Sequence, residues 1–185
     1  MNRFGRHWRA LTLAGVLAGA VVALSTTMVA PAAAADALDA ADRDFIERAA
    51  QGARAELAGS QLASERAQSA AVKAYAEQTR QTLTQALDGL DALGKRKGVT
   101  VPDAPSFSGN GKLAALAEQE GVEFDRAYAL RFGVVAHQDA LTLFARTALQ
   151  GKDAEVRAYA QERMPALEAQ LKAAQALQDQ VDLGK

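Results

Sequence analysis

A carboxylate, Glu56, and an imidazole, His137, are the candidate metal-binding or proton-moving residues of this chain, since both types ligate metals and transfer protons. His137 is one of only two histidines, the other being His7, and the sequence contains no cysteine. Disulfides, thiolate metal sites and Cys-His catalysis are therefore excluded. A Ser-His-Asp site would have to be built around His137, and no G-x-S-x-G, Walker or dinucleotide-binding motif is present. The sequence therefore indicates a protein that is not an enzyme.

Both residues lie on apolar stripes that repeat with the 3.6-residue period of an amphipathic helix. Four such stripes predict long helices, which cover about 39–67, 69–97, 121–150 and the segment from Asp153 onward. The first stripe includes Gly52 and Gly59, which we expect to allow close approach of a neighbouring backbone. The third stripe places His137 inward together with the following positions: Glu123, Ala127, Leu130, Val134, Leu141, Phe144 and Ala148.

Residues typical of helix ends mark the boundaries between these segments. Ser69 is predicted to cap the second helix at its start, and Gly98 to cap it at its end. Residues 98–111 form a long connection rich in glycine and proline, and 112–120 a short helix. In the last helix, Pro165 predicts a kink or a break close to Gln170, because proline removes one backbone hydrogen bond.

Four amphipathic helices without an alternating strand pattern predict an all-α fold, an up-down-up-down four-helix bundle. Leu83, Leu90, Phe124, Phe144 and Leu167 are expected to supply much of its hydrophobic stabilisation. Tyr128 is expected to keep its hydroxyl in water, and Asp125 to serve the first turn of its own helix.

A polar layer is predicted at the middle of the bundle. Counting from the helix centres places Glu56, Leu83, His137 and Gln170 at a common height, and three of these four are polar. Buried polar groups need partners, so Glu56, His137 and Gln170 are expected to hydrogen-bond one another or a water molecule. A metal at Glu56 and His137 is the alternative, although structural zinc usually takes four protein ligands and catalytic zinc three.

The first 35 residues have the pattern of a secretory signal peptide. Arg3, Arg6 and Arg9 precede an uncharged run that is shorter than the roughly 20 residues of a membrane-spanning helix, and Ala33–Ala35 then offer a cleavage site. We therefore predict an exported protein without a stable membrane anchor, whose mature domain covers 36–185. It would be periplasmic in a Gram-negative host and secreted otherwise.

The balance of acidic and basic side chains excludes partners, such as nucleic acid, that bind through a strong net charge of opposite sign. The chain has 21 basic and 22 acidic side chains, and removal of the three leader arginines leaves 18 against 22, a net charge of −4. Nucleic acid is therefore not an expected partner. The basic run Lys95–Lys97 is better explained by the negative end of the helix dipole than by nucleic-acid binding.

Several motifs together resemble the family called domain of unknown function 4142, exported bacterial proteins considered ferritin-like. The resemblance covers nearly all of the mature chain and implies a ferritin-like bundle. It is carried by Asp44-Phe45, Ala55-Glu56-Leu57, Val72–Ala76, Val99–Pro102, Phe124–Tyr128, His137, Pro165-Ala166-Leu167 and Gln170-Leu171.

The chain departs from this family at positions that the resemblance marks as metal ligands. Thr82 and Leu83 stand where family members carry an Asp-His pair, and Gln170 stands where they carry a histidine. Glu56 and His137 are the two that remain. The resemblance thus supports the bundle and its export more than it supports metal binding.

Two functional hypotheses follow from the sequence. The first is an exported helical-bundle protein, without enzymatic activity and without a cofactor, that acts through its surface on an envelope protein or by self-association. The second is a ferritin-like metal-binding or redox protein with iron, manganese or zinc at a reduced site formed by Glu56 and His137.

Overall fold

A computed structural model describes residues 37–184, so the predicted signal peptide at 1–35 lies outside the described residues. The described chain is all-α, as predicted. No helix in it is long and apolar enough to span a membrane. In chain order the elements are α1 Ala40–Arg66, α2 Ala70–Lys97, α3 Phe107–Ala117, α4 Gly121–Tyr128, a π-helical segment Ala129–Val135, α5 Ala136–Gln150 and α6 Ala154–Asp182.

The helix ends of the first hairpin follow the sequence signals with one exception. The Asp39 side chain accepts a hydrogen bond from the Ala41 amide at the start of α1. Gly98 takes the left-handed conformation, with φ of 64°, at the end of α2. Ser69 precedes α2 as predicted, but its side chain makes no capping hydrogen bond. The backbone amides of Gln68 and Ser69 donate instead to Asp125, from a distant part of the chain.

The third long helix consists of α4, the π segment and α5, and the π segment shifts its inward face. Each π-type turn closes with a bond from residue i to i+5, which inserts one residue relative to the α-helical period. The predicted inward positions hold from Val134 onward. Two of the earlier positions are wrong, because Glu123 is exposed and Leu130, inside the π segment, is 41% exposed; Phe124 and Phe132 are buried instead.

The bundle order is up-down-down-up, which corrects the predicted up-down-up-down order. Asp125, early in the third helix, binds the start of α2. Asp42, at the start of α1, binds the amide of Lys152 beyond the end of α5. The third helix therefore runs parallel to α2 and antiparallel to α1. Residues 98–120, including α3, form a crossover along the length of the bundle, and one long crossover is the arrangement of ferritin-like bundles.

Two hydrophobic clusters lie on either side of the middle of the bundle. One gathers Phe45, Leu90 and Phe144, and the other gathers Phe124 and Tyr128. Of the residues expected to supply most burial, Leu83, Leu90, Phe124 and Phe144 are buried. Leu167 is half-buried.

The two glycines of the first stripe differ in their surroundings. A Cβ on Gly59 would lie 2.5 Å from the Phe132 ring, so this glycine admits an aromatic side chain rather than a neighbouring backbone. A Cβ on Gly52 would meet nothing within 4 Å, and Gly52 is exposed. The close approach predicted at Gly52 is therefore wrong.

The last helix is unbroken. α6 continues through Pro165 to Asp182 as a single helix, so the break predicted near Gln170 does not occur. Its start is held by ion pairs with the end of α2, since Arg96 pairs with Glu155 and Lys97 pairs with Glu155 and Asp153. The basic residues at the end of α2 thus serve helix docking as well as the helix dipole.

Candidate functional site

The fold brings Glu56 and His137 together at the middle of the bundle. Nε2 of His137 lies 3.5 Å from Oε1 of Glu56. Glu56 comes from α1 and His137 from the second residue of α5, two antiparallel helices that meet at this height. His137 is 1% exposed and Glu56 6% exposed. The sequence-based prediction that these two side chains point inward and meet is therefore correct.

The π segment fixes the orientation of the imidazole. Nδ1 of His137 lies 2.8 Å from the carbonyl oxygen of Gly133, inside the π segment. Because a carbonyl can only accept, Nδ1 carries the proton and donates it. Burial lowers the pKa of His137, so the ring is neutral near pH 7 and directs the lone pair of Nε2 toward Glu56.

The carboxyl group of Glu56 is held in its protonated form. Burial away from water raises its pKa from 4.5 to about 8. Its Oε1 has no hydrogen-bond partner among the described residues. The 3.5 Å between Oε1 and Nε2 exceeds the usual length of a hydrogen bond from a carboxyl hydroxyl. The two groups thus form a neutral facing pair rather than a tight ion pair.

Hydroxyl groups continue this polar layer beyond Glu56. The hydroxyls of Ser60 and Tyr128 are hydrogen-bonded at 2.8 Å, and both residues are 0% exposed. The expectation that the Tyr128 hydroxyl stays in water is therefore wrong. The hydroxyl of Tyr75 has no hydrogen-bond partner among the described residues, although Thr79 lies beside it. Burial raises the pKa of both tyrosines.

A cleft of about 510 Å³ opens at the height of the Glu56–His137 pair, and we call it the mid-bundle cleft. Its lining comes from α1, α2, α3, α5, α6 and the π segment. Apolar lining side chains include Leu83, Leu90, Phe132, Phe144 and Leu167. Ligand pockets in proteins commonly have volumes of roughly 300–1,000 Å³, so the mid-bundle cleft is large enough for a small molecule.

Gln170 lies in the lining of the mid-bundle cleft and is half-buried. It makes no hydrogen bond with Glu56 or His137, which corrects the prediction of a three-residue hydrogen-bonded layer. Thr82 and Leu83 line the cleft from α2. These residues therefore border an open cleft and do not form a closely packed polar layer with Glu56 and His137.

The donor set only partly suits a metal ion. Among residues 37–184, no group of three or more His, Asp and Glu side chains is arranged to hold one. Glu56 and His137 are two suitable donors, and the fixed Nδ1 proton leaves Nε2 free to bind as metal-bound histidines do. Two donors fall short of the three or four protein ligands of usual zinc sites.

Comparison with known families identifies the chain. The model of a domain of unknown function, DUF4142, matches residues 27–177. The chain belongs to the DUF4142 family.

Among solved structures, the fold of this DUF4142 protein is similar to the crystal structure of a DUF305 fragment from Deinococcus radiodurans. The TM-score is 0.67 and the sequence identity 15%, over 77% of this chain and 98% of that chain. At this identity the likeness shows the fold alone. No curated protein matches the sequence.

Sequence reasoning missed two features of the site. The π segment could have been suspected from Phe124, Tyr128 and Phe132, whose spacing of four runs out of phase with His137, five residues beyond Phe132. The cleft left a weaker signal in α6, where Arg163 and Gln170 occupy inward positions of the stripe. Long polar side chains at such positions can border an open centre, although they can also reach solvent past a filled one.

Proposed function

We propose that this protein is an exported, non-enzymatic binding protein that takes a small molecule into the mid-bundle cleft. Export rests on the signal-peptide pattern of residues 1–35. The absence of enzymatic activity is supported by the state of His137, whose Nδ1 is committed to a backbone carbonyl and whose Nε2 faces a protonated carboxyl group. Interaction with an envelope protein or self-association stays a prediction.

The observation that carries the proposal is the unfilled middle of the bundle. The inward positions of α6 are buried near both ends, as at Val156 and Leu177. Between them, Arg163, Leu167 and Gln170 are only half-buried, because they border the cleft. Protein interiors are normally packed as densely as organic crystals. A cleft of this volume beside a buried, unpartnered carboxyl oxygen is therefore best explained as space for a ligand.

Gly52 offers a direct test of this proposal. It lines the mid-bundle cleft one turn before Glu56, and a side chain there meets no other atom within 4 Å. Gly52→Leu should therefore fill the cleft without disturbing the helices. We expect saturable binding of the neutral fluorescent probe N-phenyl-1-naphthylamine to the mature protein, and a loss of roughly 10-fold or more in affinity in Gly52→Leu.

The matched control is Gly111→Leu. Gly111 also lies in a helix with open space around its Cβ position, but it does not line the cleft. The two variants gain similarly in helix propensity, so a general effect on stability would appear in both. Equal probe binding by the wild type, Gly52→Leu and Gly111→Leu would contradict binding in the cleft.

A metal site is the second candidate function, favoured by the fixed tautomer of His137 and by Oε1 of Glu56, which faces its Nε2. When bound there, an ion of iron, manganese or zinc would be held by these two side chains. Because two protein ligands hold such ions weakly, we expect far less than one metal per chain after aerobic purification. Elemental analysis of the wild type and His137→Ala tests this. Near-stoichiometric metal in the wild type that His137→Ala loses would favour the metal function instead.

A further inference from the structure

The mid-bundle cleft is lined by more positive than negative side chains, although the domain as a whole is acidic. Two acids line it, Glu56 and Asp139. Glu56 is protonated near pH 7, because burial raises its pKa to about 8. The basic residues of the lining are five: Arg48, Lys112, Arg131, Arg146 and Arg163. Positive charge is therefore concentrated around this cleft in a domain of opposite overall charge.

Three of these basic side chains have no acidic partner. Arg48 pairs with Asp44, and Lys112 pairs with Asp139. Arg131, Arg146 and Arg163 make no ion pair or side-chain hydrogen bond with any residue among 37–184; no acid lies within 4.0 Å of their nitrogens. Arg163 is the most informative of the three, since it is half-buried at an inward position of α6. A guanidinium withdrawn from water without a partner gains most from an anionic ligand.

Arg146 and Arg163 lie at a similar height along the bundle. α5 and α6 run antiparallel, and the Gln161 side chain donates to the carbonyl oxygen of Ala148. This contact fixes the offset of the two helices and places Arg163 opposite the turn that contains Arg146. Both arginines are therefore within about one helical turn of a common level, at the end of the cleft that Phe144 borders. Arg163 occupies an inward position, whereas Arg146, two residues after the buried Phe144, is exposed on the outer side of α5 at the rim of the cleft.

The remainder of the cleft offers apolar walls. Leu83 and Leu90 face it from α2, Leu167 from α6 and Phe132 from the π segment. Leu90 and Leu167 lie on the arginine side of the Glu56–His137 pair, with the cluster that contains Phe144, whereas Phe132 lies beyond the pair, against Gly59. An apolar chain would lose its water-exposed surface along these walls, at a gain of roughly 0.8 kcal/mol per buried methylene group.

We propose that the ligand of the mid-bundle cleft is an amphipathic organic acid, with its carboxylate at Arg163 and its apolar tail along the walls toward Glu56. This inference rests on the proposed function and adds the chemical class of the ligand. Arg163 is the anchoring residue, and Arg146 adds positive charge at the rim at a similar height. The carboxylate accepts hydrogen bonds from the Arg163 guanidinium, which is the pairing that arginine geometry favours.

Binding of three ten-carbon probes at submicellar concentration tests the inference on the mature protein. The probes are decanoate, decanol and decyltrimethylammonium, measured by calorimetric titration against the wild type, Gly52→Leu and Arg146→Gln/Arg163→Gln. In the wild type we expect decanoate to bind roughly 10-fold or more tightly than decanol, and the cation no more tightly than decanol. In the arginine variant, decanoate should fall to within about 2-fold of decanol, whose own affinity should not change.

The results separate this inference from the proposed function. Equal affinity for decanoate and decanol, with both lost in Gly52→Leu, would overturn the anionic ligand and leave the cleft as a binding site. Stronger binding of the cation would also overturn it. Failure of all three probes to bind the wild type would contradict both proposals. Thermal melts of the arginine variant report its folding. Arg146 is exposed, and Arg163 is half-buried without a partner, so a normal melt is expected.

Discussion

Asp42→Ala is expected to lower the free energy of unfolding by roughly 3 kcal/mol. Asp42 is 1% exposed, and its carboxylate accepts hydrogen bonds from the backbone amides of Lys152 and Asp153 at distances of 2.7–3.2 Å. These amides precede the first turn of α6. The alanine variant removes a buried charge-assisted acceptor and leaves both amides without it, and each such loss is costly.

Chemical denaturation and thermal melts of the mature protein check this result. A loss of 3 kcal/mol in a domain of this length should lower Tm by roughly 6–12 °C. Asp44→Ala is the matched control, because Asp44 lies two residues away in the same helix and only pairs with Arg48 on the surface. It should change stability by no more than about 0.5 kcal/mol. Similar losses in the two variants would show that Asp42 does not hold the start of α6.

Glu56 is expected to make the protein more stable at pH 6.5 than at pH 8, by about 1.6 kcal/mol. Burial raises its folded-state pKa from 4.5 to about 8, so the folded protein retains a proton between these values that the unfolded chain releases. Stability therefore falls as pH rises through this window and levels off above about pH 8. One retained proton corresponds to about 1.36 kcal/mol per pH unit. Because the carboxyl of the folded protein is already half ionised at pH 8, the change over these 1.5 units is about 1.6 kcal/mol.

His137 limits the pH range in which this effect stands alone. Burial lowers its pKa below 6.5, so under more acidic conditions the unfolded chain takes up a proton that the folded protein does not. Stability is then lost as pH falls, which opposes the contribution of Glu56. Between pH 6.5 and 8 Glu56 dominates, and this is the range in which denaturation should be measured.

Glu56→Gln is the control for this assignment. Glutamine has nearly the same shape and does not titrate, so the variant should show a flat stability between pH 6.5 and 8. Asp139→Asn, on the rim of the same cleft, should retain the slope of the wild type. A wild-type protein whose stability is constant or rises across this range would contradict a protonated Glu56.

The facing pair was accessible to sequence reasoning because it depends on local periodicity. Glu56 lies on a stripe without interruption, and His137 follows the π segment, so both positions keep the 3.6-residue phase of their own helices. The prediction for Leu130 is wrong, because this residue lies inside the π segment, where the α-helical phase is interrupted. The set of inward positions on one side of a π turn therefore does not predict the inward positions on the other side.

The chain direction of the third helix depends on contacts that are distant in sequence. The carboxylates of Asp42 and Asp125 decide it, because each binds backbone amides at one end of the bundle. In the sequence these residues resemble ordinary first-turn acids. The connection at 98–120 is long enough to run along the whole bundle, which makes the third helix parallel to α2. A connection of the same length could also stay at one end of the bundle, which would make the two helices antiparallel.

The cleft could not be predicted from the sequence, because it is a space that the side chains of the neighbouring helices leave empty. Arg163 and Gln170 fall on the inward stripe of α6, and such positions are read as partly buried whether or not space lies beside them. Only the three-dimensional arrangement shows that the neighbouring side chains of α2 do not reach them.

Native mass spectrometry of the mature protein, isolated from its own host without detergent, tests the central claim most directly. A binding protein for small molecules should carry a ligand, seen as a discrete added mass that denaturation releases. The account predicts this added mass in the wild type and in Gly111→Leu, and its absence in Gly52→Leu. Bare chains in all three samples, or an added mass that Gly52→Leu retains, would contradict binding in the mid-bundle cleft.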